Sequence, residues 1–307
     1  MEKVYHKAVL LDESLTGLNI KPEGTYVDVT FGGGGHSRAI IAQLGENGKL
    51  FAFDQDADAA ANTINDRRFK LLHENFSHLK AFLRLEGIRS VDGIIADLGI
   101  SSHQIDEAER GFSTRLEGKL DMRMDNRNGI TAADIVNNYE ESELRSLMKM
   151  YGELPNASQI AKSICDSRKN SAITSTSELC EAVKKHLPRG FENKYLAMIF
   201  QALRIEVNGE LDALKALLQQ TAEILKPSGR LVVISYHSLE DRLVKNFMKA
   251  GNFEGTIKKD FYGNPVAPLK MVCRKVITPS ESELQENNRS RSAKLRIAER
   301  TETNIEK

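Results

Sequence analysis

Four consecutive glycines, Gly32 to Gly35, stand between a β-rich run and a helical pattern. Such a run lets the backbone come against a ligand, and where it opens a helix it presents unpaired N–H groups to an anionic group. The run before it, Thr25 to Val29, is the first of several. Leu50 to Phe53, Lys70 to His73 and Gly93 to Ala96 follow, each succeeded by a turn or polar stretch. This alternation predicts parallel strands joined by crossover helices. Asp92-Gly-Ile-Ile-Ala-Asp97 runs apolar between two carboxylates, as a parallel strand buried on both faces does.

From about Ser101 to Lys226 the strand signal stops and helical periods replace it. Leu144, Leu147, Met148 and Tyr151 follow the i, i+3, i+4, i+7 pattern, as do Ala157, Ile160, Ala161 and Ile164, and then Leu179, Ala182, Val183 and His186. Ser175 and Glu178 have capping-box spacing ahead of the last of these, and Pro188 closes it. A further pattern from Leu211 to Leu225 ends at Pro227-Ser228-Gly229. Strand character then returns in Arg230 to Ser235, and Ser238 with Asp241 is expected to cap the next helix. A structureless loop of that length is rare, so the reading is an α/β sheet, residues 1–108 and 206–307, broken by an all-helical domain, residues 109–205. Met271 to Ile277 and Ala293 to Ala298 are expected to add a hairpin.

The 307 residues suffice for two domains of ordinary size. With 40% hydrophobic and 28% charged residues the composition is globular, and no apolar stretch is long enough to span a bilayer. Met1 to His6 has no apolar segment behind its charges, so no secretory signal is expected and the chain is placed in the cytoplasm. Cys165, Cys180 and Cys273 are odd in number and far apart, which reads as reduced thiols rather than disulfides or a zinc site. Forty-three basic residues balance 43 acidic ones, so attraction to a nucleic acid requires a local patch.

The acids around the glycine loop narrow the ligand. As a dinucleotide fingerprint the loop is imperfect, because Ser37 falls on the last glycine position. Asp28 ends the first strand beside Gly32, where a pyrophosphate would be repelled and an ammonium group favoured. S-adenosylmethionine carries such a group together with a carboxylate suited to the helix N-terminus. Asp54 ends the second strand, where an acid in such folds bonds ribose hydroxyls, and Phe76 and Asp97 follow the third and fourth strands on the same carboxyl edge.

At these residues the sequence resembles the RsmH (MraW) family of bacterial methyltransferases. The matching segments run almost end to end: His6 to Glu13, Asp28 to Ser37, Asp97 to Ser102, Glu109 to Ser113, Leu120 to Asp125, Tyr151 to Glu153, Phe200 to Arg204, Ser235 to Arg242 and Arg291 to Arg296. The resemblance implies a Rossmann-like S-adenosylmethionine-dependent methyltransferase sheet with an inserted all-helical, substrate-recognising domain. It implies methylation of N4 of a cytidine in small-subunit ribosomal RNA, with the ribosomal particle as partner. It also implies cofactor contacts at Gly34, Gly35, His36, Asp54, Phe76, Asp97 and Gln104, beside the Asp28 and Gly32 reached from spacing. The chain departs from the family at Glu192 to Ala197, at Leu154-Pro155-Asn156, and at Tyr236, where phenylalanine is frequent.

A cytosine amine is a poor nucleophile, and methyl transfer to it needs acceptors that hold its N–H groups in line with the sulfonium carbon. Asp97, Ser101, Ser102, Tyr236 and His237 are the candidates for orienting the base. The Asp97 segment lacks the two prolines and the aromatic usual in amino-methyltransferases, so a stacking ring must come from elsewhere, and Tyr236 is the candidate. No metal is required. Two basic clusters, Arg110, Arg115, Lys119, Arg123 and Arg127, and Arg289, Arg291, Lys294, Arg296 and Arg300, are candidate phosphate contacts. The competing readings are a nicotinamide-dependent oxidoreductase, disfavoured by Asp28 and the missing third glycine, and a non-catalytic RNA-binding module. Monomer or homodimer is left open.

Overall fold

The computed structural model describes residues 8–127, 129–263 and 266–302. His6 and Lys7, which open one of the matching segments, lie outside them. In chain order the elements are α1 (Leu11–Leu18), β1 (Thr25–Asp28), α2 (Gly35–Gln43), β2 (Lys49–Phe53), β3 (Phe69–Leu72), α3 (Leu79–Leu85) and β4 (Val91–Asp97). Then come α4 (Ser102–Asp106), α5 (Ala132–Asn138), α6 (Glu141–Met150), α7 (Ala157–Arg168), α8 (Thr176–Val183) and α9 (Glu192–Asn208). The last group is α10 (Glu210–Ile224), β5 (Leu225–Ser235), α11 (Ser238–Ala250), β6 (Leu269–Met271), α12 (Glu281–Glu286) and β7 (Lys294–Arg300).

The chain forms two compact units, Met1–Gly99 with Leu211–Lys307, and Ile100–Glu210. The helical unit thus begins at Ile100 and ends at Glu210, where the sequence reading has 109 and 205. Ile100 packs on the helical core, and α9 continues past Ile205 to a left-handed C-cap at Gly209, φ 58°.

In the first unit seven strands lie in the order β3-β2-β1-β4-β5-β7-β6. The first five pair in parallel, and β7 runs antiparallel to both β5 and β6. Successive residues feed opposite faces: Val27 and Val233 pack with Leu79, Leu217 and Phe247 from α3, α10 and α11, whereas Tyr26 and Val232 pack with Leu18 and Ile40 from α1 and α2. Burying each such side chain contributes roughly 1.5–3 kcal/mol. The Pro227-Ser228-Gly229 turn is absorbed into β5 as an irregularity. Leu225 pairs with Val91 but Arg230 with Gly93, and Ser228 takes φ 62°. An antiparallel pair does form, β6 with β7 and α12 in the connection, but its first strand is displaced: β6 meets the expected Met271 to Ile277 only at Met271, and Ile277 makes a single isolated bridge to Leu295.

The helical unit buries its own core, including Leu144, Leu147, Ile160, Ile164, Leu179, Phe200 and Leu203. Its α8 starts where Ser175 predicts. The Ser175 hydroxyl accepts from Glu178 N at 3.2 Å, and the Glu178 carboxylate accepts from Ser175 N at 3.0 Å. No described helix is long and apolar enough to cross a membrane.

Candidate active site

Strand order reverses between β1 and β4, and in an open α/β sheet the crevice at the carboxyl ends of such strands is where ligands bind. Asp28 and Asp97 end the two strands. Thr30 bridges them, its hydroxyl oxygen accepting from Asp97 N at 2.6 Å while its own N–H donates to Asp28 Oδ1 at 3.1 Å.

Asp28 is expected beside the ligand but is spent inside the loop. It is 2% exposed, its second oxygen accepts from Ser37 Oγ at 2.7 Å, and burial pushes its carboxyl above the usual range. It fastens the first turn of α2 to the end of β1. Asp54, one strand over, braces the same loop, accepting from Gly32 N at 2.7 Å and Asp56 N at 2.8 Å. Its carboxyl is pushed up to about 6 by burial, against the pull of those two N–H groups.

The glycines are demanded by geometry. Gly34 is the N-cap of α2 at φ 75°, and a Cβ there would stand 2.6 Å from Arg38 Nη1 and 2.9 Å from the Phe31 ring. Gly32 has φ 49°. A Cβ on Gly35 would meet Ala8 Cβ at 2.9 Å, so the chain before α1 lies against the start of α2. His36 joins the same contact: its Nε2 is 3.1 Å from Val9 O, its Nδ1 is 3.9 Å from Asp97 Oδ2, and it is 6% exposed. With Nε2 donating to the carbonyl, Nδ1 is the nitrogen turned toward Asp97.

Asp97 is the focus of the edge. Tyr236, directly after β5, donates its hydroxyl to Asp97 Oδ1 at 2.8 Å. Burial raises the Asp97 carboxyl to about 6, opposed by His36 and by the Tyr236 hydrogen bond; the Tyr236 hydroxyl is itself raised, by burial first and by Asp97 second. Asp97 nevertheless keeps 23% of its side chain exposed, against 2% for Asp28. Gly99 takes φ 99°, which favours glycine, and a Cβ built there would stand 3.5 Å from Cδ2 of the Tyr236 ring, an ordinary contact. A ring held in this way orients Asp97. Phe76 sits beyond β3 in a 3-10 turn, half-buried against the sheet.

His237 is the N-cap of α11, a place the sequence assigns to Ser238. Its extended backbone, φ −134°, ends the strand, its Nδ1 accepts from Glu240 N at 3.4 Å, and Glu240 Oε2 accepts from Tyr236 N at 3.0 Å. The other ring nitrogen, Nε2, lies 3.2 Å from Glu240 Oε1 without hydrogen-bond alignment.

Ser101, Ser102 and Gln104 belong to the helical unit. Ser101 is the N-cap of α4: its hydroxyl accepts from Gln104 N at 3.2 Å, and Gln104 Oε1 accepts from Ser101 N at 3.0 Å. Ser102 is the first, half-buried residue of the helix. Sequence reasoning passes over Thr30, Ser37, Asn62 and Glu240. Asn62 donates to Gly32 O at 3.0 Å from 30 positions away, with no sequence signal. Glu240 had one, its spacing from His237.

The basic clusters are largely spent within the protein. Arg110 donates to Arg123 O and Met124 O, Arg123 pairs with Asp121, Arg127 with Asp125, and Lys119 with Glu109. Arg296 and Lys294 share Asp241, and Arg300 donates to Pro268 O.

A seven-stranded sheet in this order, with its seventh strand reversed and acids closing β1, β2 and β4, defines a Rossmann-like methyltransferase carrying an inserted helical domain. The MraW methylase family model matches residues 3–301, and the chain belongs to that family. It is 58% identical over 296 residues to "Ribosomal RNA small subunit methyltransferase H" of Flavobacterium johnsoniae, covering 96% of this chain and 98% of that one. It is 56% identical over 299 residues to the protein of the same name from Bacteroides thetaiotaomicron, covering 97% and 98%. Among solved structures, a putative rRNA methylase from Clostridium thermocellum aligns with TM-score 0.46 at 12% identity over 98% of this chain and 100% of that one.

Proposed function

We propose that this protein transfers a methyl group from S-adenosylmethionine to N4 of a cytidine in small-subunit ribosomal RNA, within a ribosomal particle in the cytoplasm. The observation that carries the reading is the carboxyl edge at the β1/β4 switch point, where Asp54 and the partly exposed Asp97 flank a glycine loop leading into α2. The donor set fits the cofactor: acids for a zwitterionic, cationic ligand and its ribose, helix N–H groups for its carboxylate, and the half-buried Phe76 as an apolar wall. When bound, S-adenosylmethionine supplies an electrophilic methyl on a sulfonium.

The chain's own residues then divide the work. Gly34, Gly35 and His36 open α2 and present its N–H groups; Asp54 takes the ribose hydroxyls while holding Gly32; Asp28 and Thr30 hold the two strand ends at fixed spacing. Asp97 is the acceptor, for the cofactor's cationic end or for an N–H of the cytosine amine, and Tyr236 positions it. Proton loss from the methylated amine needs no strong base, because the amine becomes acidic as the new bond forms. The helical unit, residues 100–210, is assigned to substrate recognition, and Ser102 and Gln104 at its start are its candidates for contact with cofactor or base.

A single-turnover assay with tritiated cofactor on immature small subunits tests the transfer; RNA binding without label would favour the non-catalytic module. In calorimetric titrations, Asp54→Ala is expected to weaken S-adenosylmethionine binding roughly ten-fold, the scale of a lost charge-assisted hydrogen bond, and to leave RNA affinity unchanged. Equal losses for both ligands, or tight binding of NAD instead, would overturn the assignment.

A further inference from the structure

The connection between α11 and β6 carries a feature that neither the fold nor the proposed transfer uses. Phe261 is 97% exposed and Tyr262 is 84% exposed, side by side at the tip of a turn. The turn is built: Asp260 Oδ1 accepts from Tyr262 N at 2.9 Å, Asp260 O accepts from Gly263 N at 3.1 Å, and Lys258 O accepts from Val266 N at 2.8 Å. Its rings meet edge to face, centroids 5.5 Å apart and planes at 88°, which leaves ring faces open to solvent. Two aromatic side chains held in water forgo the burial that usually justifies them, and so mark a contact surface.

The charge around the pair says what it contacts. Between Thr256 and Lys275 stand Lys258, Lys259, Lys270, Arg274 and Lys275, with Asp260 as the sole acid. All five cations are exposed, and among the described residues none has a carboxylate partner, whereas Lys119, Arg123, Arg127, Lys294 and Arg296 of the two clusters described above each have one. An unpaired basic stretch around exposed ring faces is suited to a polyanion that also offers flat faces. Unpaired nucleotides meet both requirements, and a duplex, whose bases are already stacked, meets only one.

We propose that Phe261 and Tyr262 form a stacking platform for an unpaired stretch of RNA, with Lys258 and Lys259 on its phosphates and Lys270 of the outermost strand, β6, together with Arg274 and Lys275 just after it, extending the basic track. This rests on the RNA-substrate reading and adds to it a second contact, separate from the carboxyl edge. Because the planes are near perpendicular, the two bases they hold are splayed rather than continuously stacked.

The chain contains no tryptophan, so Tyr262→Trp places a single fluorescent reporter on the platform while keeping a ring to stack. Titration with an unstructured pyrimidine oligoribonucleotide is expected to quench it, and a duplex of equal length to leave it bright. The Phe261→Ala/Tyr262→Ala double variant should bind the oligonucleotide at least about ten-fold more weakly, since stacking losses run to that size per base. It should raise KM for the particle and leave kcat and S-adenosylmethionine affinity unchanged. Both side chains are solvent-exposed, so its thermal midpoint should match the parent's. Lys258→Ser/Lys259→Ser, which keeps both rings, should weaken binding and flatten its salt dependence. Unquenched tryptophan with unchanged oligonucleotide affinity would overturn the platform. So would unchanged affinity combined with poorer retention on particles, which would assign the pair to a protein surface. Absence of methyl incorporation with quenching intact would instead remove the transfer reading and leave the platform standing.

Discussion

Asp97 shows how a single residue can be costly to the fold and useful to the site. Its carboxyl is raised from 3.8 to about 6, chiefly by burial, so the folded state prefers it protonated. A raised carboxyl stabilises the fold fully below the unfolded value near 3.8, and that contribution is lost as pH rises through 6. At neutral pH, therefore, the ionised group works against folding, by about 2–3 kcal/mol at 1.36 kcal/mol per pH unit. Asp97→Asn keeps the oxygen that accepts from Tyr236 and removes the charge. Its thermal midpoint should equal the parent's near pH 4, rise above it between pH 4 and 6, and stay higher at pH 8, while methyl transfer falls. A midpoint gap independent of pH would show that the buried charge is not the cause. The acid itself was legible, as a strand-ending aspartate; its partner Tyr236, 139 positions away, was legible only as a neighbour, since nothing local says where a hydroxyl will point.

At the scale of elements, caps written in side chains were readable and caps written in backbone were not. Ser175 and Glu178 announce α8, and the structure closes both hydrogen bonds. By contrast α1 starts after Leu10 at φ 49° and stops at Asn19 at φ 51°, with no capping side chain at its start, so no residue pattern marks it. The start of α11 moved by one residue because an imidazole, seldom counted among capping groups, accepts the N–H of Glu240. The two roles open to His237 separate by substitution. His237→Asn retains a capping acceptor and should keep both stability and turnover; His237→Ala should lose about 1 kcal/mol by denaturant unfolding and keep its turnover per folded molecule. Turnover lost in the asparagine variant with stability intact would return the ring to the chemistry.

At the scale of the whole molecule, the sequence carries the order of strands up to β5 and the helical interruption, because hydrophobic period reports local geometry directly. It does not carry how the cations are spent. Zero net charge leaves any attraction to a nucleic acid to a local patch, and most cations of the clusters that look basic along the chain are folded onto Glu109, Asp121, Asp125, Asp241 and backbone carbonyls, while the stretch around Phe261 keeps its cations. That difference is measurable in salt. Each phosphate neutralised on a single strand contributes roughly −0.7 to the slope of log K against log salt, so engagement limited to five cations gives a slope no steeper than about −3.5. Lys258→Ser/Lys259→Ser should bring it toward about −2, from the loss of two contacts at that same increment. A parent slope near twice the limit would mean that the paired clusters release their acids on binding, and that RNA reorganises the ion pairs seen in the free protein.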